Sequence, residues 1–165
     1  MAKVLLINPL VREEDEPRNV PMGMAQLAAI AIKQNHQIQV YDHNAWRAGD
    51  KEVKEVLTSD NWDLIAFGGI TTAYSSIKKF AKLCRKLFPK TPISLGGGVL
   101  TSLPKEILTW LPEVDFGFVG ESYKTFPEVL SMIDEGKKDW HKIKGLITRT
   151  KENGFYFTPP RELLH

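Results

Sequence analysis

PISLGGGVLTSLPKEIL, residues 92–108, runs an apolar stretch of strand length into three consecutive glycines and leaves them as a helical pattern. Glycine loses more backbone freedom on folding than any other residue, so Gly96, Gly97 and Gly98 need a reason. Two present themselves. A tight strand-to-helix corner uses glycine for backbone shapes that other residues avoid, and a ligand that must come nearer the backbone than a Cβ allows uses it for space. Either way the stretch reads strand, corner, helix, which is the repeating unit of an α/β domain.

Outward from it the unit recurs. Apolar runs of strand length stand at 3–8, 37–42, 63–69, 92–97 and 114–120. Helical spacing links Met24, Leu27, Ala28 and Ala31, then Val53, Val56 and Leu57 after Asp50, then Ile77, Phe80, Ala81, Cys84 and Leu87. Two more helical stretches surround Ile107 and Leu111, and Phe126, Val129, Leu130 and Ile133. Strand and helix in strict turn imply parallel pairing through right-handed crossovers, with helices on both faces of the sheet. The spacing predicts a doubly wound five-stranded parallel sheet, and the need to put the loops after the first, third and fourth strands around one crevice predicts the order 2-1-3-4-5. The tail carries two short β-like runs around Glu152, Asn153 and Gly154, which predicts a C-terminal β-hairpin beyond the fifth helix.

Composition narrows the function classes. With 165 residues, 42% hydrophobic and 25% charged, the chain suits one globular domain with an ordinary core. A net charge of +2 without a basic run gives no footprint for nucleic acid or an anionic membrane, and neither is expected as a partner. One cysteine, Cys84 in a helical pattern, rules out an internal disulfide framework and a cysteine-based metal site. That fits a reducing, cytoplasmic setting. The opening MAKVLLINPL reads as the first strand and is too short to span a membrane.

Ligands of open α/β sheets bind beyond the carboxyl ends of the strands, where strand order reverses. The loops to inspect are NPLVREEDEPRNVPMGM after the first strand, GGITTAY after the third, GGGVLTSLP after the fourth and GESYKTFPE after the fifth. Helix caps and corners account for part of their glycine and hydroxyl content. A dinucleotide fingerprint is excluded, because the first turn offers Asn8, Pro9 and Leu10 in place of G-x-G-x-x-G. Flavin and phospho-receiver patterns fail at the same strand ends.

In order and spacing, KVLLINP, PMGMAQLAAIAIKQNHQIQVYD, GGITTAY, LGGGVLTSLPKEIL, VGESYKTFPEVL and IKGLITRTKENGFYFTPPR resemble the N-terminal cobalamin-binding domain of cobalamin-dependent radical SAM enzymes. The resemblance covers nearly the whole chain. It implies a flavodoxin-like fold over residues 1–140, with 141–165 forming the hairpin and the start of a linker to a catalytic domain missing from this chain. It further implies cobalamin held base-off, its dimethylbenzimidazole tail threaded along the sheet, with no histidine on the cobalt and no protein metal ligand. Gly96 and Gly97 match the family's paired glycines, and Gly98 stands where proline is common. Thr71 and Thr72 match a hydroxyl pair that bonds the tail; Gly120 and Glu121 match the fifth-strand loop. On the same reading Pro21 and Gly23 shape the mouth, and Asn8, Pro9 and Leu10 after the first strand are further candidate cofactor contacts.

On the residues alone, Glu121 is equally an ordinary acid at a helix start, and Tyr74 either covers the corrin edge or packs. If the glycines serve a ligand, Gly97→Val abolishes binding and leaves the domain folded. The D-x-H-x-x-G motif of other cobalamin domains is absent: Asn8 holds the acid's place and Leu10 the histidine's. In the longer enzymes a 4Fe-4S cluster and S-adenosylmethionine join cobalamin, and the reaction is methyl transfer from methylcobalamin or cyclisation of a tetrapyrrole ester. On its own the chain is expected to bind cofactor without turnover. A stand-alone ligand-binding or sensor module, and a partner-binding domain with an empty crevice, remain as other classes.

Overall fold

The computed structural model describes residues 1–16, 20–152 and 154–162. The five apolar runs become β1 (Lys3–Asn8), β2 (Gln37–Asp42), β3 (Leu64–Phe67), β4 (Ile93–Leu95) and β5 (Phe116–Phe118). Between them lie α1 (Met22–Lys33), α2 (His43–Trp46), α3 (Asp50–Leu57), α4 (Tyr74–Leu87), α5 (Gly98–Ser102), α6 (Pro104–Trp110) and α7 (Thr125–Asp134). β1 pairs in parallel with β2 on one side and β3 on the other. The chain therefore winds first one way and then the other, and the crevice of such a fold opens at the carboxyl ends of β1 and β3.

Three strands are shorter than their apolar runs. The runs at 63–69, 92–97 and 114–120 keep only Leu64–Phe67, Ile93–Leu95 and Phe116–Phe118 in the ladder. At their carboxyl ends what leaves the ladder is mostly glycine: Gly68 and Gly69, Gly96, Gly97 and Gly120, all of them at the crevice.

The C-terminal hairpin does not stand apart. β6 (Leu146–Arg149) pairs antiparallel with β5, and β7 (Phe155–Phe157) antiparallel with β6, so the sheet has seven strands in order β2-β1-β3-β4-β5-β6-β7. The parallel core keeps its expected order and the hairpin covers what would be an open apolar edge at β5. Thr150 and Gly154 close the turn through Thr150 N–H to Gly154 carbonyl at 2.9 Å and Gly154 N–H to Thr150 Oγ1 at 3.0 Å; Asn153 lies outside the described residues.

Strand alternation sends side chains to two cores. Leu5, Ile7, Ile65, Phe67, Ile93 and Leu95 pack under α3 to α6 with Leu57, Ile77, Phe80 and Leu108. Cys84 lies in this layer, fully buried, its thiol pushed up to about 12 by burial and so unreactive. Val4, Leu6, Leu64, Ala66, Phe116 and Phe118 face α1 and α7, with Ala28, Phe126, Val129 and Leu130. Two helices spread across this second face leave a gap between them.

Candidate functional site

That gap is a slot of about 520 Å³ between the sheet and the helices α1 and α7, open at the strands' carboxyl ends. Its volume is ordinary for a small-molecule site. The register explains its floor. Leu6, Ala66, Ser94 and Phe116 form one row across β1, β3, β4 and β5. Two residues further along the same face come Asn8, Gly68, Gly96 and Phe118, all of which line the slot. A row containing two glycines leaves the floor low; Leu27, Met24 and Phe126 wall it from the helices.

The three glycines of 96–98 separate by cause. At Gly97 φ is +84°, and a Cβ would lie 2.6 Å from the Gly69 carbonyl oxygen and 2.9 Å from its nitrogen. The close approach that forces this glycine is made by the chain's own β3–α4 loop. Gly97→Val therefore strains the fold itself, contrary to the expectation of a folded, non-binding variant. At Gly96 a Cβ would meet nothing nearer than Phe118 Cβ at 3.5 Å, and at Gly98 nothing nearer than Ile70 Cγ2 at 3.9 Å. Both are ordinary contacts, so the fold has room for a Cβ at each. What such a side chain would do is fill the slot.

Hydrogen bonds fix the rim. Gly96 N–H donates to the Phe67 carbonyl at 2.8 Å and Val99 N–H to the Gly69 carbonyl at 3.1 Å, which ties the loops after β3 and β4 together. Thr101 Oγ1 accepts from Gly120 N–H at 3.2 Å, tying in the loop after β5. Tyr123 donates to Gln26 Oε1 at 2.6 Å and brackets the mouth between that loop and α1. Asn8 Nδ2 is held by Asp42 Oδ1 at 2.8 Å. Among the described residues lining the slot Glu121 is the one carboxylate, and it is exposed.

Of the residues singled out from sequence, Asn8, Pro21, Gly23, Gly96, Gly97, Gly98, Gly120 and Glu121 come together around this slot. Pro9, Leu10, Thr71, Thr72 and Tyr74 are not part of its lining. Pro9 is buried, and Leu10 N–H donates to Ser76 Oγ at 3.1 Å. Thr71 and Thr72 are exposed on a single 3-10 turn, Thr71–Ala73, directly after the slot-lining Ile70. Tyr74 meets Trp110 edge to face at 6.1 Å between ring centres. Gly68, Thr101, Phe118 and Tyr123 were not singled out. Phe118 had a signal, since alternation along 114–120 puts it on the face of Gly120's loop; Tyr123 had none.

Among the described residues no group of histidine, cysteine, aspartate and glutamate is arranged to hold a metal ion. No helix of the described residues is long and apolar enough to cross a membrane.

A doubly wound sheet with a glycine-floored apolar slot at its switch point defines a class: open α/β domains with a ligand crevice beyond the carboxyl ends of their strands. The family model described as the B12 binding domain matches residues 10–130, and the chain belongs to that family. It is 24% identical over 159 residues to the anaerobic magnesium-protoporphyrin IX monomethyl ester cyclase of Synechocystis, covering 91% of this chain and 31% of that protein. Among solved structures it is similar to the radical S-adenosylmethionine methyltransferase TsrM from Kitasatospora setae with cobalamin and a [4Fe-4S] cluster bound (TM-score 0.84, 21% identity, 100% of this chain and 30% of that one). It is also similar to the cobalamin-dependent S-adenosylmethionine radical enzyme OxsB with aqua-cobalamin and S-adenosylmethionine bound (TM-score 0.81, 14% identity, 99% and 23%). The chain thus spans about a third or less of the length of the relatives it matches.

Proposed function

We propose that this chain holds cobalamin by its nucleotide tail, and that it is the cofactor-carrying part of a longer radical SAM enzyme. The observation that carries the first half is the floor at Gly96: a position where the fold has room for a Cβ and a side chain would fill the slot. The residues fit the group. A base-off cobalamin needs a narrow apolar cleft for a flat heterocycle, a stretch of backbone without Cβ atoms and a few polar groups near the entrance.

Gly96 and Gly98 supply the bare backbone, Leu6, Ala66, Phe118 and Phe126 the apolar walls, and Met24 and Leu27 the helix side. Thr71 and Thr72 offer hydroxyls just outside the buried section, and Tyr123 closes the bracket to α1. Together these residues bind and orient the tail and exclude water from around it. Cobalamin, when bound, supplies the cobalt centre at which methyl groups are accepted and released.

For the longer protein, the relatives support methyl transfer or ester cyclisation on a substrate this domain does not touch. A 4Fe-4S cluster and S-adenosylmethionine would then be held by a domain in cis. The setting is proposed to be cytoplasmic, consistent with the buried, reduced Cys84.

Mixing the purified chain with hydroxocobalamin and separating free from bound by size exclusion tests the binding reading. The expected result is co-elution of near one equivalent of corrinoid, with the visible band of the base-off form after reduction. Elution free of corrinoid overturns it. A C-x-x-x-C-x-x-C segment encoded beyond residue 165 is the expected signature of the radical SAM part, and its absence from the full-length gene removes that part of the proposal.

A further inference from the structure

Gly68 stands in the floor row of the slot, yet neither its backbone nor the packed core requires a glycine there. The described glycines with left-handed backbone are Gly97, Gly120, Gly136 and Gly145, and Gly68 is not one of them. Its neighbour differs. At Gly69 a Cβ would meet Ile77 Cδ1 at 3.3 Å, Ala73 Cβ at 3.5 Å and Pro9 Cγ at 3.5 Å, all from buried residues. At Gly68 a Cβ would meet one heavy atom of the described residues within 4 Å, Met24 Cε at 3.2 Å.

That atom comes from the opposite wall. Met24 belongs to α1, lines the slot and is half-buried, and its terminal methyl reaches across to rest over the bare backbone that follows β3. Methionine is unbranched, and its thioether end turns readily. The space over Gly68 is thus kept clear of fixed atoms and filled by a movable one. The helical turn that carries Met24 is weakly held as well. Pro21, at the N-cap of α1, has no side-chain acceptor for the free N–H groups, Gly23 is a poor helix former, and no acid stands in the first turn. One turn further on, Gln26 is fastened to Tyr123, so the play lies upstream of that bond.

We propose that Met24 is a retractable plug: in the empty domain its methyl occupies the part of the slot over Gly68, and a flat ligand enters only when the side chain swings out. For the identity of that ligand the plug rests on the cobalamin reading above. A plug differs from a wall in what it does to rates. A wall touches the seated ligand and slows its departure. A plug competes with the ligand for the same space, so the fraction of molecules with an open slot scales the apparent association rate and affinity.

Stopped-flow mixing of the purified chain with hydroxocobalamin separates the two, with Met24→Ala as the variant. The expected result is an association rate constant raised about fivefold or more and a Kd lowered by a similar factor, with dissociation within about twofold of the parent's. Association equal to the parent's with faster dissociation makes Met24 a wall and overturns the plug, while the cobalamin reading stands. The parent supplies a second readout that no folding defect can disturb. With isotope-labelled methionine methyls, the Met24 methyl shows a nuclear Overhauser contact to the Gly68 α-protons in the empty chain, and the contact disappears on loading with hydroxocobalamin. A contact that persists in the loaded chain overturns the plug. A parent that takes up no cobalamin overturns the cobalamin reading and the plug with it.

Discussion

At Gly97 a Cβ would stand 2.6 Å from the carbonyl oxygen of Gly69, while at Gly96 the nearest atom would be 3.5 Å away. Adjacent residues of one type thus answer to different forces, and two substitutions separate them. Gly97→Ala is expected to destabilise the unliganded chain by about 1–3 kcal/mol, from left-handed strain and the clash with the β3–α4 loop, seen as a lowered melting temperature. Gly96→Val is expected to melt within about 2 °C of the parent and to lose hydroxocobalamin binding by at least about a hundredfold. A Gly96→Val protein that binds normally removes the floor from the site. The sequence made the glycine cluster visible but could not apportion it, because the partner of Gly97 is a residue 28 positions earlier whose approach only the folded chain shows. His43 is the other residue with a measurable signature. Its ring bonds the Tyr41 hydroxyl at 3.1 Å and meets Phe80 edge-on at 4.9 Å. Burial, and then the nearby Lys79, hold its imidazole below the ordinary value of 6.5. The folded state therefore binds the proton less readily than the unfolded chain. The stabilisation is complete above pH 6.5 and is lost as pH falls through the folded value. The melting temperature of the parent is expected to drop from pH 7.5 to pH 5.5 more steeply than that of His43→Phe; equal slopes refute the assignment.

The elements show why strand order was legible and strand ends were not. Val4 and Leu6 point to one core and Leu5 and Ile7 to the other, so a continuous apolar run announces a strand buried on both faces. Five such runs separated by helical periods leave few topologies, and the order found is the one that gathers the loops after β1, β3 and β4 around one crevice. Strand ends depend on where backbone leaves the ladder to face the crevice, and glycine after β3 and β4 does that without changing the apolar pattern. The hairpin's destination was equally hidden: FYF and LITR state a strand pair but not the edge they dock on. α2 was missed because four residues carry no period; it exists because Asp42 Oδ1 accepts from Ala45 N–H at 3.1 Å. It ends at Arg47, whose φ is +48°, and Arg47 then serves the loop after β1. Its guanidinium donates to the carbonyls of Glu13 at 2.8 Å, Arg12 at 3.3 Å, and Asp15. Three carbonyls held by one side chain pin residues 12–15 against the turn after α2. Arg47→Ala is expected to accelerate trypsin cleavage after Arg12 roughly tenfold while shifting the global melt by no more than about 3 °C, since the loop opens independently of the core. Unchanged cleavage shows that the loop is held by something else.

Across the whole molecule the two faces of the sheet divide the chemistry, and the division bears on which side chains could reach the cobalt of the proposed cofactor. The slot belongs to the face of α1 and α7. His43 is packed under α4 on the other face, where Tyr41 and Phe80 hold its ring. His36 is buried at the start of β2, at the opposite end of the sheet, with Nδ1 accepting from Ala2 N–H at 3.2 Å. His141 is bonded to Thr148 on the hairpin side at 3.0 Å, and His165 lies outside the described residues. The loop after β1 brings Asn8, already held by Asp42, and Leu10, whose side chain has no lone pair. For any of the described histidines to ligate, a packed ring would have to leave its partners and cross the sheet or its edge, which a close-packed interior resists. The expected result is a Co(II) electron paramagnetic resonance spectrum of the cobalamin-loaded chain without superhyperfine splitting from an axial nitrogen, unchanged in His43→Ala. A three-line nitrogen splitting that disappears in His43→Ala would mean that the loop after β2 swings over the mouth on binding, and that the two faces are not separate after all.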